Sequence, residues 1–197
     1  IPIKKMKKED MHTKNQILHI RTEKEILQVA KSEWVVQLKY SFQDDYFLYL
    51  AMEFLPGGDF MSLLMKKDIL TEEEARYYIA QLILAVESVH ELNCIHRDLK
   101  PENIFICQQG GIPDFAKVLD YGLAKVTERQ MRPGSVVLTQ EGMVFGTPEF
   151  MSPEQAQGKP LTPVSDLYSL AMILYEMLTA KLPFDAKNPV EYLQMQV

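Results

Sequence analysis

The chain has 197 residues, 47% of them hydrophobic and 24% charged, with a formal net charge of −6. That length suffices for one large domain or two small lobes, and the acidic balance argues against a nucleic-acid partner, whose binding surface is basic. Two cysteines, Cys94 and Cys107, exclude a disulfide framework and suit a reducing, cytoplasmic setting.

Residues 1–4 read as the end of a strand. "TKNQILHIRTEKEILQVAK" (13–31) sets Ile17, Ile20, Ile26, Leu27 and Ala30 at helical spacing. Two β-rich stretches follow, "WVVQLKYSF" (34–42) and "YFLYLAMEF" (46–54), joined by the turn signal Gln43-Asp44-Asp45. "LPGGD" breaks that pattern, and Pro56-Gly57-Gly58 is the expected boundary between two regions. Thr71 and Glu74 form a capping box ahead of a long helix, "ARYYIAQLILAVESVHEL". "FAKVL" (115–119) reads as a short strand, whereas residues 125–153 show no period. A loop of that length inside a compact domain is functional or disordered. "VSDLYSLAMILYEMLTA" (164–180) is apolar nearly all round and predicts a buried helix. Its longest apolar run, near Leu167 to Leu178, is broken by Ser169 and Glu176 and is too short to span a bilayer. "NPVEYLQMQV" reads as the start of another helix.

The chemistry concentrates in "CIHRDLKPENIFIC" (94–107), a polar island between two apolar ends. His90, Cys94 and His96 lie close together, but a tetrahedral metal site wants four ligands and no fourth is near. Taken singly, Asp98, Asn103 and Asp120 read as turn or cap residues. Jointly they do not. Asn103 stands five residues after Asp98, Asp120-Tyr121-Gly122 follows downstream, and Ser152-Pro153-Glu154 follows that. "HRDLKPEN", "DYG" and "GTPEFMSPE" resemble the catalytic loop, magnesium motif and substrate-side anchor of eukaryotic-type protein kinases. The likeness runs the length of the chain, and motifs this long in this order are very specific. Residues 3–106, with "EKEIL" and "EFLPGGDF", resemble the nuclear Dbf2-related branch of the AGC kinases. Residues 115–197, with "KVLDYGLAK", resemble bacterial PknB-type serine/threonine kinases.

The resemblance implies an α+β, protein-kinase-like bilobal fold. Residues 1–55 would form a small β-rich N-lobe, 56–58 the hinge, and 59–197 a mainly helical C-lobe with an activation segment over 120–154. It implies transfer of the γ-phosphoryl group of Mg-ATP to serine or threonine hydroxyls of proteins, a reaction that needs positioning and neutralised charge more than covalent catalysis. Asp98 would orient the attacking hydroxyl, and Lys100 would neutralise the migrating group. Asn103 and Asp120 would hold Mg2+ through oxygen donors, as a hard cation prefers. Lys4 would pair with Glu23, which shares a helix face with Ile26. Lys5, Lys7, Lys8 and Glu25 stand nearby, so the two also fit ordinary surface charges. Met52 would be the gatekeeper, Glu53 and Leu55 would offer backbone groups to adenine, Asp59 would approach the ribose, and Phe105 would floor the pocket. Met52 and Phe105 equally fit plain core roles.

Four further roles come with the likeness. Asp166 would accept hydrogen bonds from the backbone near His96 and Arg97, Thr147 would bond the catalytic loop, and Glu154 would pair with an arginine. Arg97 would receive a phosphate from the activation loop, on Thr139 by preference or on Ser135. Departures from the family pattern are plain as well. The Gly-rich loop expected before Lys4 is not in the chain, and neither Gly57-Gly58 nor Gly110-Gly111 has its pattern. Pro2 replaces a small alanine and removes a backbone donor from the strand, and Tyr121 replaces phenylalanine. The chain therefore reads as a kinase-domain fragment with both lobes incomplete. Lys100 and Glu102 place it with the serine/threonine enzymes. Two rival readings are a pseudokinase scaffold, against which Lys4, Asp98, Asn103 and Asp120 speak, and a kinase-derived piece inert as cut.

Overall fold

A computed structural model describes residues 1–10, 14–121, 125–126 and 146–197. Strands β1 (Ile3–Lys7), β2 (Leu38–Gln43) and β3 (Phe47–Met52) form an antiparallel sheet in the order β1-β3-β2. The turn between β2 and β3 is closed by Asp44, whose Oδ1 accepts from the amides of Tyr46 and Phe47 at 2.8 and 2.7 Å. Helix α1 (Lys14–Val29) buries Ile26, Leu27 and Glu23.

Helix α2 (Phe60–Lys67) was not foreseen. Asp59 caps it by accepting from Ser62 N at 2.8 Å, and Phe60 and Leu64 enter the core. Helix α3 (Glu72–His90) starts on the expected capping box, with Thr71 and Glu74 bonding each other's backbone. The short strand β4 (Cys94–Ile95) precedes the polar island. Strands β5 (Ile104–Gln109) and β6 (Ile112–Val118) make an antiparallel hairpin, and β7 (Lys125–Val126) pairs with β4. Helices α4 (Pro153–Ala156), α5 (Pro163–Thr179) and α6 (Pro189–Met195) complete the described chain. The core joins Leu82, Ala85 and Val89 of α3 to Leu170, Ile173 and Met177 of α5. Among the described residues no helix is long and apolar enough to cross a membrane.

Two expectations fail for physical reasons. Trp34, Val35 and Val36 do not extend β2. They dock instead on the end of β6, where Val118 N donates to Trp34 O (3.0 Å) and Val36 N donates to Val118 O (3.3 Å). Trp34 also stacks on Phe115, with centroids 4.3 Å apart. This apolar strip joins the sheet region to the helical region. Helix α5, for its part, is not buried all round. Val164 and Leu167 are 64% and 51% exposed, while Ser165, Asp166 and Ser169 are buried. The helix turns its polar residues inward because they have partners there: Ser169 donates to Phe150 O at 2.8 Å, and Asp166 accepts from the loop that follows β4.

The expected boundary is tied to β5 from both sides. Gly57 N donates to Ile106 O, and Ile106 N donates to Gly58 O, each at 2.9 Å. A Cβ on Gly57 would lie 2.5 Å from Ile106 O, so no larger residue fits without moving the strand.

Candidate active site

Two clusters face one another where the sheet meets the helices. In the first, Lys4 from β1 reaches Glu23 of α1, with Nζ 2.8 and 3.1 Å from its two carboxylate oxygens, and Asp120 Oδ1 at 2.7 Å. Burial pulls the Lys4 ammonium down, but Glu23 and Asp120 together outweigh it and hold it above its ordinary value. Glu23 is pushed up, first by its own burial and further by the Asp120 charge, against the pull of Lys4. The Lys4 direction follows from two carboxylates sharing one ammonium, and the Glu23 direction chiefly from desolvation.

The second cluster is the loop after β4. Arg97 and Asp120 have φ values of 73° and 68°, in the left-handed region that side-chain-bearing residues enter at about 1–2 kcal/mol. Asp166 holds the loop in that shape. Its Oδ2 accepts from His96 N (2.9 Å), and its Oδ1 accepts from Arg97 N (3.0 Å). His90, at the end of α3, adds a third contact at 2.7 Å through Nε2. The sequence had offered His90 only as a rejected metal ligand. No local signal pointed to this role, because its partner Asp166 lies 76 residues away.

His96 is fully buried. Asp98 N donates to its Nδ1 (3.3 Å), so Nε2 must carry the proton and donate to Leu119 O (3.2 Å). Burial pushes its pKa down, opposed by Asp166 and Asp98. The ring thus joins the residue before Asp120 to the residue that bears the candidate base.

The Asp98 carboxylate is held on both oxygens. Thr147 Oγ1 donates to Oδ1 at 2.8 Å, and Asn103 Nδ2 lies 3.3 Å from Oδ2. Lys100 Nζ donates to Thr147 Oγ1 at 2.9 Å and stands 3.6 Å from Asp98 Oδ2. Asn103 also gives Nδ2 to Asp98 O (2.8 Å), which leaves its Oδ1 as the oxygen for a cation. Leu119 N donates to Asn103 O at 2.8 Å, so Asn103 and Asp120 lie on adjoining backbone. An amide oxygen and a carboxylate beside a surplus of negative charge fit a hard divalent cation.

A cleft of about 370 Å³ opens beside these groups. Its lining includes Lys4, Met52, Glu53, Leu55, Phe105 and Asp120, six of the residues assigned to nucleotide binding. The Glu53 side chain turns out of it, accepting at Oε1 from Gln37 N (2.9 Å) and from the buried Lys117 (2.8 Å). Its amide donates to Gln37 O, so its carbonyl is the backbone group left for a base. Asp59 does not line the cleft, because capping α2 occupies both its oxygens with Ser62. Glu154 meets Ser165 Oγ, and no arginine pairs with it among the described residues. Thr127, Ser135 and Thr139 lie outside the described residues. A larger cleft, about 530 Å³ between the end of α1 and α3, holds none of the expected site residues and gathers no comparable set of donors.

This geometry agrees with the comparisons to known proteins. Residues 1–197 match the family model described as the protein kinase domain. The chain belongs to the protein kinase family. Its mixed α+β architecture is that of the kinase domain. Serine/threonine-protein kinase tricornered of Drosophila pseudoobscura pseudoobscura is 38% identical over 218 positions, covering 95% of this chain and 47% of that protein. Serine/threonine-protein kinase LATS2 of Mus musculus is 36% identical, covering 96% of the chain and 22% of that protein. Serine/threonine-protein kinase sid2 of Schizosaccharomyces pombe is 37% identical, covering 95% and 35%. The kinase domain here therefore spans about half the length, or less, of these relatives. The relatives are serine/threonine kinases by name, as the segment "HRDLKPEN" had implied, and each match extends through both halves of the chain.

Proposed function

We propose that this kinase domain transfers the γ-phosphoryl group of Mg-ATP to serine or threonine hydroxyls of proteins. One observation carries the reading: Lys4, Glu23 and Asp120 converge at one side of a cleft beside an Asp98 carboxylate already aimed by Thr147 and Asn103. Asp98 would accept the hydroxyl proton and orient the attacking oxygen. Lys100, already beside it, would stabilise charge on the group in flight, and Lys4 would hold the nucleotide's phosphates. Asn103 and Asp120 would hold Mg2+, which supplies charge neutralisation on the phosphate oxygens. Met52, Phe105 and the backbone of Glu53 and Leu55 would enclose the adenine.

Arg97 would take a phosphate placed on Thr139 or Ser135, adding about −1.5 to −2 charges that its guanidinium can bind. A cytoplasmic setting is supported by the two cysteines, both buried and free, with burial pushing the Cys94 thiol up to about 11. The test is Asp98→Asn in the natural full-length protein. The kcat should fall by roughly 10²–10⁴-fold while ATP affinity holds, the range for loss of a proton-accepting group. A variant near wild-type kcat would reject the assignment. A wild-type protein that shows a nucleotide-dependent thermal shift but transfers nothing would favour the scaffold.

A further inference from the structure

The two peptide groups that flank Arg97, just before Asp98, are each gripped by a side chain. Arg97 is left-handed at φ 73°, and its N–H is taken by Asp166. Its C=O accepts from Gln155 Nε2 at 2.7 Å. Gln155 comes from α4, 58 residues later in the chain, and is 4% exposed. Gly146 makes the reach possible. It has φ +126°, and a Cβ there would lie 2.6 Å from Gln155 Nε2 and 3.0 Å from Arg97 O. Any side chain at 146 would press against both donor and acceptor.

We propose that Gln155 is a positioning residue for Asp98, with Gly146 as the space it needs. The inference rests on the kinase reading above. A left-handed, side-chain-bearing residue persists only where its surroundings over-determine it. Asp166 fixes the peptide before Arg97, and Gln155 fixes the peptide after it. Rotation about Arg97 would swing the Asp98 carboxylate off Thr147 and Asn103. The same segment, Gly146 to Ala156, supplies both Thr147 on the Asp98 side chain and Gln155 on the backbone behind it. Its docking and the aim of Asp98 are thereby a single arrangement. Three more bonds hold that segment down: Gln196 of the α6 end donates to Pro148 O and Glu149 O at 3.1 Å each, and Ser169 donates to Phe150 O.

The test uses Gln155→Met, which keeps length and removes the donor, and Gly146→Ala, which pushes the donor away. In the natural full-length protein each should lower kcat about 10–100-fold, the scale of a misplacement near 1 Å. KM for ATP and the Mg-ATP thermal shift should stay within about twofold. A merely structural role would lower kcat and the thermal shift and raise KM together. The double variant should fall no further than the worse single one, because both break the same bond. Unchanged kcat, or an equal loss of Mg-ATP affinity, overturns the proposal. A crystal structure of Gln155→Met gives a readout independent of activity, and Arg97 should leave the left-handed region. If the wild type transfers no phosphoryl group, the kinase reading fails, and this structure still decides: Arg97 retained at positive φ overturns the positioning role.

Discussion

Two charged clusters share this site and are built on opposite plans. Lys4, Glu23 and Asp120 come from three distant segments, and the Lys4 and Asp120 side chains are 32% and 43% exposed. Asp166 and His96 are sealed in, at 1% and 0% exposed, while His90 keeps 18% of its side chain exposed. The first cluster sets two carboxylates on one ammonium, with Glu23 buried and Asp120 half-exposed on the wall of the cleft. The second gives its one carboxylate three donors. The difference separates holding the fold from meeting a ligand. A carboxylate that water reaches can exchange its bonds for a ligand, whereas a buried one must stay bonded within the protein.

The comparison breaks most visibly at Asp166. Replacing it with alanine strips an acceptor from His96 N, Arg97 N and His90 at once. Stranding buried donors costs about 1–3 kcal/mol each, and removing one member of a buried charged network about 3–5 kcal/mol. Asp166→Ala should therefore lower Tm by roughly 10 °C and abolish phosphoryl transfer. A melting temperature within about 2 °C of wild type would show that the buried plan does not hold the loop.

Asp120→Ala should do the reverse. It removes a half-exposed carboxylate whose bond to Lys4 is screened by solvent, so Tm should change little. Magnesium-dependent nucleotide binding should vanish, because one of the two candidate oxygen ligands is gone. Calorimetry on the variant checks both halves. Unchanged Mg-ATP affinity would make Asp120 a turn residue, its left-handed φ serving only the chain's course.

Much of this contrast was legible in the sequence, and what was not has physical causes. The set Asp98, Asn103 and Asp120 was readable because its order and spacing resemble the kinase motifs, whereas each residue taken singly reads as a turn or cap residue. The capping box of Thr71 and Glu74 was readable because caps are local. The cap that Asp59 makes was not legible, because α2 was not foreseen. Trp34 to Val36 read as strand because β-branched and aromatic residues suit any apolar extended backbone, and the sequence does not name the partner strand. His90 and Gln155 were invisible because their partners, Asp166 and the Arg97 carbonyl, lie 76 and 58 residues away. A glutamine on a short helix carries no pattern of its own. On α5 only Asp166 was expected to face inward, through the resemblance; Ser165 and Ser169 look like interruptions until Glu154 and Phe150, which they bond, are in place.

The smallest expected effect concerns pH and again sets the sealed cluster against the open one. His96 has Nε2–H on Leu119 O and Nδ1 accepting from Asp98 N. A second proton must go on Nδ1 and expel that amide. Burial already lowers its pKa below the ordinary 6.5, although Asp166, Asp98 and Asp120 pull the other way. The unfolded chain then binds this proton more readily than the folded one. Stability contributed by neutral His96 is thus present above about pH 6.5 and is lost as pH falls below it, by at most about 1.4 kcal/mol per pH unit. Urea melts from pH 7.5 to 5.0 should show wild-type stability declining below pH 6.5. His96→Phe keeps a ring against Tyr121, which the imidazole meets at 4.9 Å, and has no proton to gain. The variant's profile should be flatter across that window, even with a lower overall stability. Parallel profiles for the two proteins would show that His96 is not the group whose protonation loosens the loop, and would move attention to the exposed cluster.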